Sequence, residues 1–207
     1  MVPAFLLSAV AVAGDVRIII VDEKKQPVSN AVVSLKPLFE GATGFSPVVM
    51  AEMRQQGVLF SPFVLPIAIG STVSFPNFDE FRHHVYSFSD VKRFELRLYG
   101  QDESKAIQFD TAGVVALGCN IHDNMLAYIY VSEHPVFAKT DENGQVDFSG
   151  LATGQYELYV WHPDLKGGKS KTLATLEIAN SALSETVSIA LRTVRRKQLP
   201  PGEDDYN

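Results

Sequence analysis

Short apolar or alternating runs, each closed by a turn signal, follow one another along the whole chain. Val16–Val21 (VRIIIV) reads as a strand, Asp22–Pro27 as a polar turn, and Ala31–Leu35 as a second, β-branched strand. Val49, Ala51 and Met53 alternate with Met50, Glu52 and Arg54, the period of two expected when one face of a strand is buried. Phe63–Ile69 and Ser71–Phe75 flank Gly70, and His84–Phe88 and Phe94–Leu98 follow. Val114–Leu117 and Leu126–Val131 bracket a loop that carries Cys119. Gln145–Phe148 and Tyr156–Trp161 stand on either side of the turn Ala152–Gly154, and Leu173–Ile178 and Thr186–Leu191 close the series. Asp141-Glu142-Asn143-Gly144 has the composition of a β-hairpin turn. No segment sustains a 3.6-residue period with helix caps. The pattern predicts an all-β fold, a sandwich of many short strands.

Composition narrows this further. The chain has 207 residues, 46% of them hydrophobic and 20% charged, so it can bury a real core in one or two domains. Eighteen basic against 24 acidic residues give a net charge of −6, which argues against a nucleic-acid partner. The single cysteine, Cys119, excludes a disulfide framework. No apolar run reaches the roughly 18 residues of a membrane span. Met1–Ala13 is uncharged, and Ala11-Val12-Ala13 before Gly14 has the small-residue pattern of signal-peptide cleavage, although no Lys or Arg precedes the apolar stretch. Residues 1–13 are therefore expected to be an export signal to the periplasm. Arg195–Asn207, with three basic residues, Pro200-Pro201-Gly202 and three acidic residues, reads as a solvated, disordered tail.

The chemistry concentrates in Gly118-Cys119-Asn120-Ile121-His122-Asp123-Asn124-Met125. A thiolate, an imidazole and a thioether at C-x2-H-x2-M can all point into one pocket from a tight loop. Soft sulfur ligands with imidazole select copper, and methionine is not a usual zinc ligand. A trigonal His2Cys set with a long axial Met needs one more imidazole, which His83 or His84 can supply. Cys119 and His122 could also be read as nucleophile and base of an enzyme, but no orienting Asn or Asp is evident and Met125 would then have no role. His134, Trp161 and His162 read as packing residues or polar tips rather than ligands.

Gly70-Ser71-Thr72-Val73-Ser74-Phe75-Pro76-Asn77 leading into His83-His84-Val85, then Phe109, Gly113, Cys119, His122 and Met125, resembles the cupredoxins, the type 1 blue copper proteins, over about residues 49–131. The ligand-loop spacing is similar to that of amicyanin, and the wider pattern to periplasmic plastocyanin-like proteins labelled methylamine-utilization proteins. The resemblance implies a Greek-key β-sandwich. It also implies one type 1 copper ion held by His83, Cys119, His122 and Met125, and single-electron transfer without catalysis to a transient redox protein partner. The family commonly has Asn where this chain has His84, so His84 stays open as the upstream ligand. Asn77 is expected to tie the ligand loop. Phe60, Pro62, Phe63, Phe78 and Phe81 are candidates for an apolar collar around the outer edge of His122. A copper-carrying or copper-sensing protein is the alternative.

A second resemblance brackets the first. Val16–Leu35 and Ala138–Tyr159 are similar to the opening strands and later half of a carboxypeptidase-regulatory-like, transthyretin-like domain. The expected division is a split auxiliary sandwich at 14–36 and 134–192, an inserted cupredoxin domain at 37–133, and a tail at 193–207.

Overall fold

The computed structural model describes residues 13–40, 50–168, 170–193 and 196, and no described residue is helical. The expected export signal lies outside the described residues except for Ala13, as do Val49 and all of the expected tail but Thr193 and Arg196. No described helix is long and apolar enough to cross a membrane.

Seventeen strands run in order: β1 (Ala13–Val21), β2 (Val32–Pro37), β3 (Met50–Glu52), β4 (Arg54–Gln55), β5 (Phe60–Ser61), β6 (Val64–Ala68), β7 (Ser71–Pro76), β8 (His83–Ser89), β9 (Lys92–Tyr99), β10 (Ser104–Phe109), β11 (Gly113–Gly118), β12 (Leu126–Ser132), β13 (Val136–Lys139), β14 (Gln145–Ala152), β15 (Gly154–Trp161), β16 (Lys171–Ile178) and β17 (Leu183–Ser188). Two sheets, β14-β1-β17 and β13-β2-β15-β16, draw only on strands outside 50–132. The sheets β6-β12-β11-β8-β9 and β10-β7-β3 and the ribbon β4-β5 draw only on strands inside it.

Each pair of sheets closes over its own core. In β1, Val16, Ile18 and Ile20 point inward while Asp15 and Arg17 face solvent, and they meet Val33, Leu35, Tyr156, Leu158 and Val160 from the facing sheet. The second core joins Val73 and Phe75 of β7 to Val85, Leu96, Val115, Leu117, Ala127 and Ile129, and includes Cys119 and Met125. Burying one such aliphatic side chain stabilises the fold by about 1.5–3 kcal/mol. A third cluster, Val32, Val64, Tyr128, Tyr130 and Trp161, joins the four-stranded to the five-stranded sheet.

Most strands read from the pattern are present; the short β5 was not among them, and three further features differ. Ser104–Phe109, which carries only Ile107 and Phe109 as large apolar residues, forms β10 and pairs with β7. Val136–Lys139 forms β13 beside β2. The turn at Asp141–Gly144 exists, closed by Gly144 N–H donating to the Asp141 carbonyl at 3.1 Å, but it is not a hairpin. It carries the chain from β13 to β14 in the other sheet, because Ile20 N–H takes the Gly144 carbonyl at 2.7 Å and hands β14 to β1.

Candidate metal centre

The site is built where three chain segments converge. β11 ends at Gly118, and the seven residues from Cys119 to Met125 return the chain to β12, which pairs Gly118 with Leu126 and Leu117 with Ala127. Met125 N–H donates to the His122 carbonyl at 3.1 Å, so the loop turns tightly between these two side chains. β8 lies beside β11, pairing at Tyr86 and Gly118, and opens with His83. The cross-strand pairing is what brings a histidine near residue 83 to a cysteine near residue 119.

Single ligating atoms of His83, Cys119 and His122 all lie within 4.8 Å of one another. The Cys119 sulfur is 3.7 Å from His122 Nδ1, and the two imidazole rings are 5.1 Å apart, inclined at 61°. Metal bonds of about 2.0–2.3 Å to nitrogen and sulfur set such atoms roughly 3.3–4 Å apart, so the trio fits one ion with small adjustment. His83 is fully buried and Cys119 is 3% exposed, whereas His122 is partly exposed. Met125 is 1% exposed in the same core cluster as Cys119, and both line a groove with Tyr86, Phe88 and Gly118.

The polar accounting marks the same place. The Nε2 of His83 is 2.8 Å from a carboxylate oxygen of Asp79, while its Nδ1 is buried with no hydrogen-bond partner. A buried imidazole nitrogen is costly to leave unpaired unless an ion takes it, but the Nδ1 of His84 is unpartnered in the same way, so it is the convergence with Cys119 and His122 that singles out His83. Burial pushes the Cys119 thiol up, but the His83 imidazole and the backbone N–H groups of His84 and Ile121 outweigh it and hold the pKa below its ordinary value. Burial pushes His83 down, and Cys119 and Asp79 outweigh it and raise it. Burial and the neighbouring His83 charge lower His122. The metal-free surroundings therefore ease the loss of the thiol proton that metal binding requires.

Of the two candidate upstream imidazoles, the structure brings His83 to Cys119 and His122. The ring of His84 instead places its Nε2 2.9 Å from Glu95, and its backbone N–H supports the Cys119 sulfur. Asn77 is fully buried. Its amide donates to the carbonyls of Phe81 (2.7 Å) and Tyr99 (3.1 Å), and its oxygen accepts from Asp79 N–H at 2.9 Å, tying the loop before His83. The expected collar needs correction. Phe60 is 1% exposed and belongs to the core, and Phe63, partly buried, packs edge-on against Tyr128. Phe78 and Phe81 are exposed, and so is Ile121 in the ligand loop. His134 bonds Ser34 at 3.0 Å and stacks on Tyr159, and Trp161 packs between Tyr128 and Tyr130. His162 Nδ1 accepts from Asp164 N–H at 3.0 Å.

Asp79 went unread as a site residue. Its signal in the sequence is a carboxylate four positions before His83, a spacing that has no fixed meaning in a loop.

No family model and no curated protein matches the chain. Among solved structures it is similar to a copper-containing nitrite reductase from Thermus scotoductus SA-01, at 29% identity over 47% of this chain and 25% of that one, with a TM-score of 0.39. It is similar to a purple cupredoxin from Nitrosopumilus maritimus at 21% identity over 40% of this chain and 99% of that one, with a TM-score of 0.37. An amicyanin variant in its Cu(I) form matches at 17% identity over 44% and 97%, with a TM-score of 0.37. This chain thus spans about a quarter of the nitrite reductase and nearly all of the two smaller proteins.

Proposed function

We propose that this protein holds one type 1 copper ion through His83, Cys119 and His122, with Met125 as axial ligand, and passes single electrons between redox partners of the cell envelope. The observation that carries the reading is the convergence of one ligating atom each from His83, Cys119 and His122 within 4.8 Å, with His83 and Cys119 buried. Bound copper supplies the one-electron couple, and the protein supplies everything else. Cys119 provides the thiolate and the covalent path into the site. His83 and His122 would each give an imidazole nitrogen to either oxidation state, held in place by β8 and the Cys119–Met125 loop. The Met125 thioether, a soft donor, tunes the balance between them. His122 is the one member of the trio that reaches the surface, so its outer edge serves as the electron port. Exposed Phe78, Phe81 and Ile121 supply the apolar surface for a small, transient interface. The export signal at 1–13 and the division into a cupredoxin unit at 37–133 and an auxiliary sandwich at 14–36 and 134–192 belong to the same reading.

A copper carrier or sensor is the contrasting role. It must load and release its ion, and burial of His83, Cys119 and Met125 favours retention over release. Electron self-exchange separates the two, measured as NMR line broadening in mixtures of the oxidised and reduced forms. Fast exchange is expected of an electron carrier. Slow exchange with ready transfer of copper to a chelator would assign the protein to transport.

A further inference from the structure

The turn between β4 and β5 is strained where strain needs a reason. Gln56 N–H donates to the Leu59 carbonyl at 3.0 Å, and between them Gly57 and Val58 both take left-handed backbone, at φ +64° and +56°. Glycine adopts this freely, but a β-branched residue there is a true outlier. Val58 is 4% exposed and packs in the core that contains Cys119 and Met125.

The left-handed pair aims two successive N–H groups at one carboxylate. Gly57 N–H donates to one oxygen of Asp79 at 2.6 Å and Val58 N–H to the other at 3.0 Å. The second oxygen is also the one that faces His83 Nε2 at 2.8 Å. Asp79 is fixed from behind by Asn77, and the carbonyl of Val58 accepts from the side chain of Asn124, in the Cys119 loop, at 3.4 Å. One strained turn therefore touches both segments that carry the ligands.

We propose that the Gly57–Val58 turn and Asp79 form a positioning cradle that sets His83 Nδ1 toward the metal before the ion arrives. The same cradle holds the reduction potential of the bound ion lower than a neutral partner on Nε2 would. A carboxylate that accepts the outer N–H of a ligating imidazole fixes its tautomer and ring orientation and strengthens its donation. Stronger donation favours the more highly charged oxidation state. Asp79 touches no reacting atom and acts only through His83. The proposal about potential rests on the copper reading above, whereas the proposal about positioning does not.

Two measurements test it. The first loads the full chain with Zn(II) and follows the His83 Nε2–H proton by NMR. The cradle predicts a slowly exchanging signal with through-space contacts to the Gly57 and Val58 amides. Exchange as fast as that of a solvent-exposed imidazole would overturn the proposal, whether or not copper is the native metal. The second compares copper-loaded wild type with Asp79→Asn, which keeps the shape and one acceptor oxygen but removes the charge. The potential is expected to rise while the thiolate-to-copper absorption band remains. An unchanged potential with the band intact would reduce Asp79 to a loop tie. Absence of the band in the wild type would instead defeat the copper reading and leave the Zn(II) result to judge the positioning alone.

Discussion

At the scale of residues, the site divides into what a motif announces and what only the fold assembles. Cys119, His122 and Met125 share one seven-residue loop, so their convergence was legible from C-x2-H-x2-M. His83 against His84 was not legible, because adjacent residues in a strand point to opposite faces. Their partners, Asp79 for one and Glu95 for the other, lie at different distances along the chain. Asp79 was hidden for a related reason: its N–H donors sit 21 and 22 residues upstream. The geometry predicts that His83→Ala severely weakens copper binding, while His84→Ala keeps the metal with a modest spectral change. Titrating both variants with copper checks this, and the reverse order would give His84 the ligand role. Met125 yields a second prediction. A thioether suits Cu(I) better than Cu(II), so Met125→Gln, with a harder oxygen, lowers the potential, and Met125→Leu, which removes axial donation, raises it. Equal potentials by voltammetry in wild type and both variants would remove Met125 from the ligand set.

At the scale of elements, β12 explains why its sequence LAYIYV alternates in size rather than polarity. Ala127, Ile129 and Val131 enter the core that holds Cys119, while Tyr128 and Tyr130 enter the cluster around Trp161. Burial on both faces makes a continuous apolar run, which pattern alone identifies as a strand without saying what either face meets. The turn at Asp141–Gly144 was legible as a turn for its residues, but turn chemistry does not say whether its flanking strands pair. Gly144 shows the constraint: at φ +72° a Cβ would lie 2.4 Å from the Ile20 carbonyl oxygen and 2.9 Å from Val28 N. Gly144→Ala is expected to cost about 1–3 kcal/mol or more through backbone strain and clash, read from the midpoint of chemical denaturation. An unchanged midpoint would mean that the β13–β14 link can relax away from β1.

At the scale of the whole molecule, the cluster of Val32, Val64, Tyr128, Tyr130 and Trp161 fastens the sheets that carry the Cys119 site to the others. Trp161 is 2% exposed, with ring centroids 5.8 Å from Tyr128 and 5.5 Å from Tyr130. Trp161→Ala should cost roughly 3–5 kcal/mol and uncouple the unfolding of the two halves, visible as a split calorimetric transition. A single, unshifted transition would show that the two halves do not depend on this contact. Acid stability reports on the site from the same distance. Burial pushes Asp79 up, but the Val58 N–H, His83 and the Gly57 N–H outweigh it and hold its carboxyl below the ordinary range. A depressed folded pKa gives stability that is complete above the unfolded value, near 3.9, and is lost as the pH falls through the lower folded value. The metal-free protein should therefore lose stability below about pH 4, and Asp79→Asn should flatten that part of the profile.

The proposed function stands or falls on a single thiolate-bound copper ion, which the visible absorption spectrum of the copper-loaded, oxidised protein reports. One copper per chain and an intense thiolate-to-copper band that vanishes in Cys119→Ser are expected. A colourless loaded protein under oxidising conditions, or a band that survives Cys119→Ser, would contradict it.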